Sequence, residues 1–329
     1  MLLPPAHRPA FLPTLFRMKS LRPLLAALVC GFAAVVAVIA QEAAPAAPAK
    51  PAPIAEMEAV VSQVTAKMRA GQATAEALAP EVAAFDAILA KYPEKNDATA
   101  QVALMKAMLY VQVLDDEAGG IAQLKALAQN YPGTKAASGI ERLLAQFEMQ
   151  KKAEATQSEV IGKAAPALTF DWSSQDGLKS LADLKGKVVV IDFWATWCGP
   201  CIAAFPKIRE EVAHFAGSPV VVLGVTSLQG RVHGVEAKPV DVKDNPAKEY
   251  ELTAAFMKKK DMNWPVVFSA QKVFNPDYGV IGIPHLAIIA PDGTVRHNGL
   301  NPHDPKADVM GKVTAILKEF NLPVPAAKG

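Results

Sequence analysis

Two of the three cysteines in this 329-residue chain stand three apart, in Phe193-Trp194-Ala195-Thr196-Trp197-Cys198-Gly199-Pro200-Cys201. If a helix begins near Cys198, the two thiols fall at i and i+3, on one face and within reach of a disulfide. Cys198 then stands at the helix N-terminus, where unpaired amides and the positive end of the helix dipole stabilise a thiolate. That casts Cys198 as the nucleophile and Cys201, one turn deeper and less exposed, as the resolving thiol that attacks a mixed disulfide. The bland chemistry for such a pair is half of a zinc site, but a structural site needs four ligands and the chain has no second cysteine pair. Asp192 lies between Ile191 and Phe193. Pointing inward, it would be a desolvated carboxyl with a raised pKa, able to accept the proton of Cys201; at a solvated strand end it would be an ordinary carboxylate.

These residues need a strand to carry them and a helix to follow. Lys187 to Phe193 (KVVVIDF) is a short, nearly continuous apolar run suited to a buried parallel strand, and Pro219 to Val225 (PVVVLGV) is another. Helical stretches are expected at roughly 200–215, 245–260 and 306–320. His285 to Ala290 followed by Pro291-Asp292-Gly293 and Thr294-Val295-Arg296 reads as a strand, a tight turn and a returning strand. Strands alternating with helices and closing on a hairpin give a mixed α/β sheet.

Residues 161–322 resemble a thioredoxin-fold domain, and FWATWCGPC is close to the thioredoxin signature. The opening GKAAPALTF and the Phe205-Pro206 after the cysteines are most similar to the TlpA/ResA group of periplasmic thiol-disulfide oxidoreductases. The resemblance implies that Pro206 kinks the active-site helix and that Trp197 shields the disulfide. It also implies that Gly282-Ile283-Pro284 is the cis-proline loop that receives substrate backbone, and that Asp192 is the buried acid beneath the cysteines. The cofactor would be the redox-active disulfide alone. Gly199-Pro200 is the thioredoxin dipeptide, that of a reductant near about −270 mV rather than an oxidant near about −120 mV. Three positions depart from the pattern. His285 replaces the usual threonine after the proline, and would either stabilise the Cys198 thiolate or be a strand-start residue at the surface. Ala204 stands where ResA-like proteins often carry glutamate. The strand at 219–226 lacks the lysine that neighbours thioredoxin's buried acid. Residues 228–264 are longer than a thioredoxin needs and are a place for substrate specificity.

Positions 1–40 hold four basic residues and no acidic one, and an uncharged run from Pro23 to Ala40 precedes Gln41. This is the layout of a secretory signal cleaved after Ala40, or of an uncleaved anchor tethering the chain through residues 23–40. Either reading exports the rest, to a bacterial periplasm or cell envelope where disulfide chemistry is permitted. Cys30 lies in the apolar run, after Val29 rather than the small residue that lipid modification favours. Residues 41–53 are an Ala/Pro-rich linker. Residues 54–152 are Ala-rich with apolar positions at helical spacing, and four or five helices without strands are expected there. Within them AILAKYPEKNDATAQVAL (87–104) echoes ALAQNYPGTKAASGIERL (126–143), with each Tyr-Pro ending a helix. Such pairs resemble tetratricopeptide-type repeats, which would bind a protein partner, while an ordinary helical bundle stands as the alternative. A linker at 153–160 and a tail at 323–329 complete the organisation.

Lys and Arg total 34 against 32 Asp and Glu; without the first 40 residues the balance is 30 against 32, and no basic stripe favours nucleic acid. The partners expected are cysteine-containing client proteins and an upstream thiol electron donor. The competing function is a metal-handling protein in which Cys198, Cys201 and His285 converge on a soft ion such as Cu(I).

Overall fold

The computed structural model describes residues 50–325, and the signal or anchor, Cys30 and most of the Ala/Pro-rich linker lie outside the described residues. The chain divides into two compact units between Ala145 and Gln146.

The first unit is helical. It contains α1 (Ala52–Arg69), α2 (Ala75–Lys91), α3 (Asp97–Gln112), α4 (Glu117–Asn130), the four-residue α5 (Lys135–Ser138) and the start of α6 (Ile140–Glu159). The punctuation is local. Thr74, Asn96 and Asp116 cap the N-termini of α2, α3 and α4 by accepting from backbone amides, while Tyr92 and Tyr131 close α2 and α4, each followed by proline. Met57, Val60, Leu78, Phe85, Ile88 and Val102 from α1, α2 and α3 form its core. Gly120 permits α3 and α4 to approach closely, since a Cβ there would stand 2.3 Å from Val111 Cγ2 and 3.0 Å from the Ala107 carbonyl.

The second unit is a thioredoxin-like mixed sheet flanked by helices. Its strands β1 (Phe170–Ser173), β2 (Val188–Phe193), β3 (Val220–Thr226), β6 (Val266–Ser269), β7 (His285–Ile289) and β8 (Val295–Leu300) lie in the order β1-β6-β3-β2-β7-β8. The centre, β6-β3-β2, is parallel; β1, β7 and β8 run antiparallel to their neighbours. All six residues of β2 are buried, as its continuous apolar run requires. Alternation sorts them. Val188, Val190 and Trp194 enter a core built with α7 (Gly199–His214), α8 (Pro246–Lys259) and α9 (Val309–Glu319). Val189, Ile191 and Phe193 enter a second core on the opposite face, closed by Leu168, Leu178, Tyr278 and Val280.

Three features differ from the expected layout. β1 and β6 add two strands too short to read against loop-like surroundings. The long segment after β3 folds as a small β4 (Arg231–Val232) and β5 (Val240–Asp241) pair packed on α8 through Val232, Val242 and Leu252. The stretch 153–160 is helix almost throughout rather than linker: Ala153 is buried, and the Gln157 side-chain amide donates to the Gly279 carbonyl at 2.7 Å, holding the last turns of α6 to the sheet unit. No helix among the described residues is long and apolar enough to cross a membrane.

Candidate active site

The strand β2 ends at Phe193, and five residues separate it from the start of α7 at Gly199, so both cysteines sit at the seam between sheet and helix. Cys198 is the N-cap residue of α7, and its Sγ accepts from the Cys201 backbone amide at 3.1 Å. The two are joined as a disulfide with Cα atoms 5.3 Å apart. The helix start follows from Gly199-Pro200: proline at the second helical position has no amide to leave unpaired and its fixed φ suits the first turn. The difference in exposure expected between the cysteines is absent, since Cys198 is 2% and Cys201 1% exposed. The reason is the loop before β7. The Ile283–Pro284 peptide is cis, and the Ile283 carbonyl oxygen lies 3.7 Å from Cys198 Sγ.

Trp197 projects outward, 40% exposed, beside the disulfide. Its indole N–H donates to Gln229 Oε1 at 2.9 Å and its ring stacks on Phe274 with centroids 6.2 Å apart. Gln229 is held in turn. The Glu249 carboxylate, buried on α8, accepts from the Gln229 and Gly230 amides at 2.7 and 3.0 Å. Burial raises the Glu249 pKa, and those two amides oppose the rise. Ser227 Oγ accepts from the Val273 amide at 3.0 Å, tying the loop after β3 to the segment before Phe274. Leu228, Phe274 and Ile281 are exposed like Trp197. From the other loop, after β8, His303 Nε2 donates to the Pro200 carbonyl at 2.8 Å, while Lys207 on α7 donates to the Pro302 carbonyl at 3.0 Å.

Asp192 points inward. It lies on the β2 face shared with Trp194 and α7, it is 1% exposed, and neither carboxyl oxygen has a hydrogen-bond partner in the protein. Burial first, and the negative charge of Glu211 second, push its pKa up to about 7. Its cross-strand neighbours are Gly224 on β3 and Leu286 on β7, so no cation compensates it from the sheet. Glu211, also buried, is raised to about 7 by desolvation, with Lys207 lowering and Glu210 raising it. Glu211 was legible as a carboxyl continuing the Ala204, Ile208 stripe of α7, a helical spacing that marks the inner face. Gln229, Phe274 and His303 carry no such signal, because loop closure alone brings them to the cysteines.

His285 is not at the surface, and it is not brought to the disulfide either. It pairs with Phe193 in register, and its ring meets the Phe193 ring edge-on at 5.7 Å, on the sheet face opposite Asp192 and the cysteines. Asn298 Oδ1 holds its Nε2 at 2.8 Å, and burial lowers its pKa. Cys198, Cys201 and His285 therefore do not form one ligand set, and no cluster of three metal-ligating side chains occurs among the described residues.

A disulfide capping a helix N-terminus beside a cis-proline, on a sheet of this order, defines a thioredoxin-fold dithiol protein. Redoxin is the family that matches, over residues 161–315. The thiol-disulfide oxidoreductase ResA of Bacillus subtilis is 30% identical over 138 residues, 42% of this chain and 66% of that one. The thiol:disulfide interchange protein DsbE of Pseudomonas aeruginosa is 31% identical over 155 residues, 45% of this chain and 71% of that one. The solution structure of a thiol:disulfide interchange protein from Bacteroides sp. aligns at 21% identity with a TM-score of 0.36, over 51% of this chain and 92% of that one. The chain belongs to the redoxin family of thiol-disulfide oxidoreductases. It spans about two thirds of the length of ResA, and its helical unit lies outside the residues that the family model matches.

Proposed function

We propose that the protein reduces disulfides of exported proteins by dithiol-disulfide exchange, with Cys198 as nucleophile, Cys201 as resolving thiol and Asp192 as proton acceptor. The observation that carries this reading is Cys198 Sγ at the N-cap of α7, accepting the Cys201 amide and facing the Ile283 carbonyl beside cis-Pro284.

In the reduced protein the Cys198 thiolate attacks one sulfur of a client disulfide. A Cys198–client disulfide forms, and the other client sulfur leaves as thiolate and takes a proton from water. Cys201 gives its proton to the Asp192 carboxylate, and the Cys201 thiolate attacks Cys198 Sγ. The Cys198–client bond breaks, the second client thiolate leaves, and the Cys198–Cys201 disulfide remains, with two electrons passed to the client. An upstream thiol donor returns them. The exposed Trp197–Phe274 stack suits an extended apolar client segment, with Gly199, Pro200, Ile283 and Pro284 offering backbone at its edge. The basic-then-apolar layout of residues 17–40 supports export, either with cleavage or with a tether at 23–40. The paired Tyr-Pro helix ends of the first unit support a repeat-like module that docks a protein partner.

Turnover of a model protein disulfide with dithiothreitol as donor tests the reading. Cys198→Ser abolishes catalysed reduction while the fold is kept; catalysed reduction at the wild-type rate in that variant would overturn it.

A further inference from the structure

The segment that presents the Ile283 carbonyl oxygen to Cys198 Sγ, residues 279–284, carries two glycines, Gly279 and Gly282, and an exposed Ile281. Glycine loses the most conformational freedom on ordering, so such a segment keeps one shape only if its ends are held. One side chain, that of Asn298 on β8, holds both. Its Nδ2 donates to the Tyr278 carbonyl at 2.9 Å, just before the segment, and its Oδ1 meets His285 Nε2 at 2.8 Å, just after it. A carbonyl oxygen can only accept, so the Tyr278 contact fixes which way the Asn298 amide faces. Oδ1 then accepts from His285, and the imidazole proton sits on Nε2. The anchors are rigid in turn. Tyr278 is buried, its hydroxyl donates to the Pro166 carbonyl at 2.8 Å, and its ring packs on Phe193, as does the ring of His285.

A second brace comes from α6, where the Gln157 amide donates to the Gly279 carbonyl at 2.7 Å. Gln157 lies against the residues that follow Tyr278 and Asn298. A Cβ on Gly279 would stand 2.9 Å from Gln157 Cγ, and one on Gly299 would stand 2.5 Å from Gln157 Oε1. Both glycines have positive φ, +65° and +74°, so the room that side chains would need there goes to Gln157. We propose that Asn298 is a positioning residue for disulfide exchange: with His285 and Gln157 it staples the 279–284 segment into one shape, holding the Ile283 carbonyl against Cys198 and fixing the backbone that a client peptide meets. His285 thus acts through Asn298, from the sheet face opposite the cysteines, without touching the disulfide. A small reagent needs only the Cys198 sulfur, whereas a peptide also needs the ordered backbone. The consequence for turnover rests on the reading of Cys198 as the nucleophile toward protein disulfides, whereas the staple does not.

Nitrogen-15 spectra of the histidine side chains in the intact protein test the staple directly. The Nε2–H tautomer of His285 is expected, and an Nδ1–H tautomer overturns the proposal. Asn298→Ala should raise KM for an apolar disulfide-bonded peptide about tenfold, with kcat and the rate toward dithiobis(nitrobenzoate) within about twofold. An unchanged KM in the folded variant overturns the positioning role, and so does an equal loss toward the small reagent. His285→Phe keeps a ring against Phe193 and removes one leg of the staple. Since either cut opens it, the double variant should lose no more than each single one, and additive losses overturn the proposal. If Asn298→Ala does not fold, His285→Phe alone carries the same KM test. A wild-type protein that reacts with dithiobis(nitrobenzoate) but reduces no peptide disulfide, with the Nε2–H tautomer intact, would instead overturn the exchange reading and leave the staple standing.

Discussion

At the scale of single residues, the most consequential group after the cysteines is a carboxyl in the core. Asp192 and Glu211 both protonate at about pH 7, well above ordinary carboxylates, because burial disfavours the charged form; the Glu211 charge adds to the rise at Asp192, and the Glu210 charge to that at Glu211. The native state thus holds protons that the unfolded chain has released. Stability supplied by this uptake is present in full below about pH 4 and is lost as pH rises toward 7 and above. Asp192→Asn should therefore be more stable than the wild type at pH 8, by on the order of 3–4 kcal/mol, with the gap closing at pH 4. Denaturant melts at the two pH values check this, and equal stability at pH 8 would contradict it. The same variant should slow resolution of a mixed disulfide by about 10- to 100-fold, read by stopped-flow mixing. Trp197 poses a different question, because its ring is exposed and stacked on Phe274. Trp197→Ala should raise KM for an apolar client peptide about tenfold while leaving reaction with a small thiol reagent within about twofold, the pattern of a lost docking surface.

Elements set what those residues can do. The continuous apolar run of β2 and the Cys-Gly-Pro-Cys at the start of α7 were legible because a buried parallel strand and a helix N-terminus each have a local signature in composition. His285 was not, because its strand is buried on both faces and alternation decides which core it enters only once register with Phe193 is known. β1 and β6 escaped for the related reason that four residues carry too little periodicity. The platform beside the disulfide depends on α8 at one remove, through the Glu249 carboxylate that holds the Gln229 and Gly230 amides. Glu249→Ala should release this loop, raise the client KM severalfold and leave the disulfide potential unchanged; amide hydrogen exchange of Gln229 and Gly230 should quicken in step. In the helical unit, Gly120→Leu forces a side chain against Val111 and the Ala107 carbonyl and should destabilise α3 and α4 by about 1–3 kcal/mol.

At the scale of the whole molecule, two compact units divide the work differently in sequence and in structure. Fold and chemistry of the second unit were visible in its motifs, since strand, cysteine pair and proline loop each impose residue types that few other folds require. The boundary was less visible. α6 runs through Glu159 because Gln157 and Ala153 pack with the sheet unit, and nothing in a polar helix end shows such tertiary anchoring. The helical unit has caps and an internal echo, and the cysteine pair, its buried acid and the cis-proline all lie in the sheet unit. The direct measurement of their redox chemistry is a redox titration of the purified protein in dithiothreitol buffers, followed by tryptophan fluorescence. The account predicts a single two-electron step with a midpoint near about −270 mV, that of a reductant. A midpoint near about −120 mV would contradict the reducing role, and no two-electron step at all would contradict dithiol-disulfide exchange through Cys198 and Cys201.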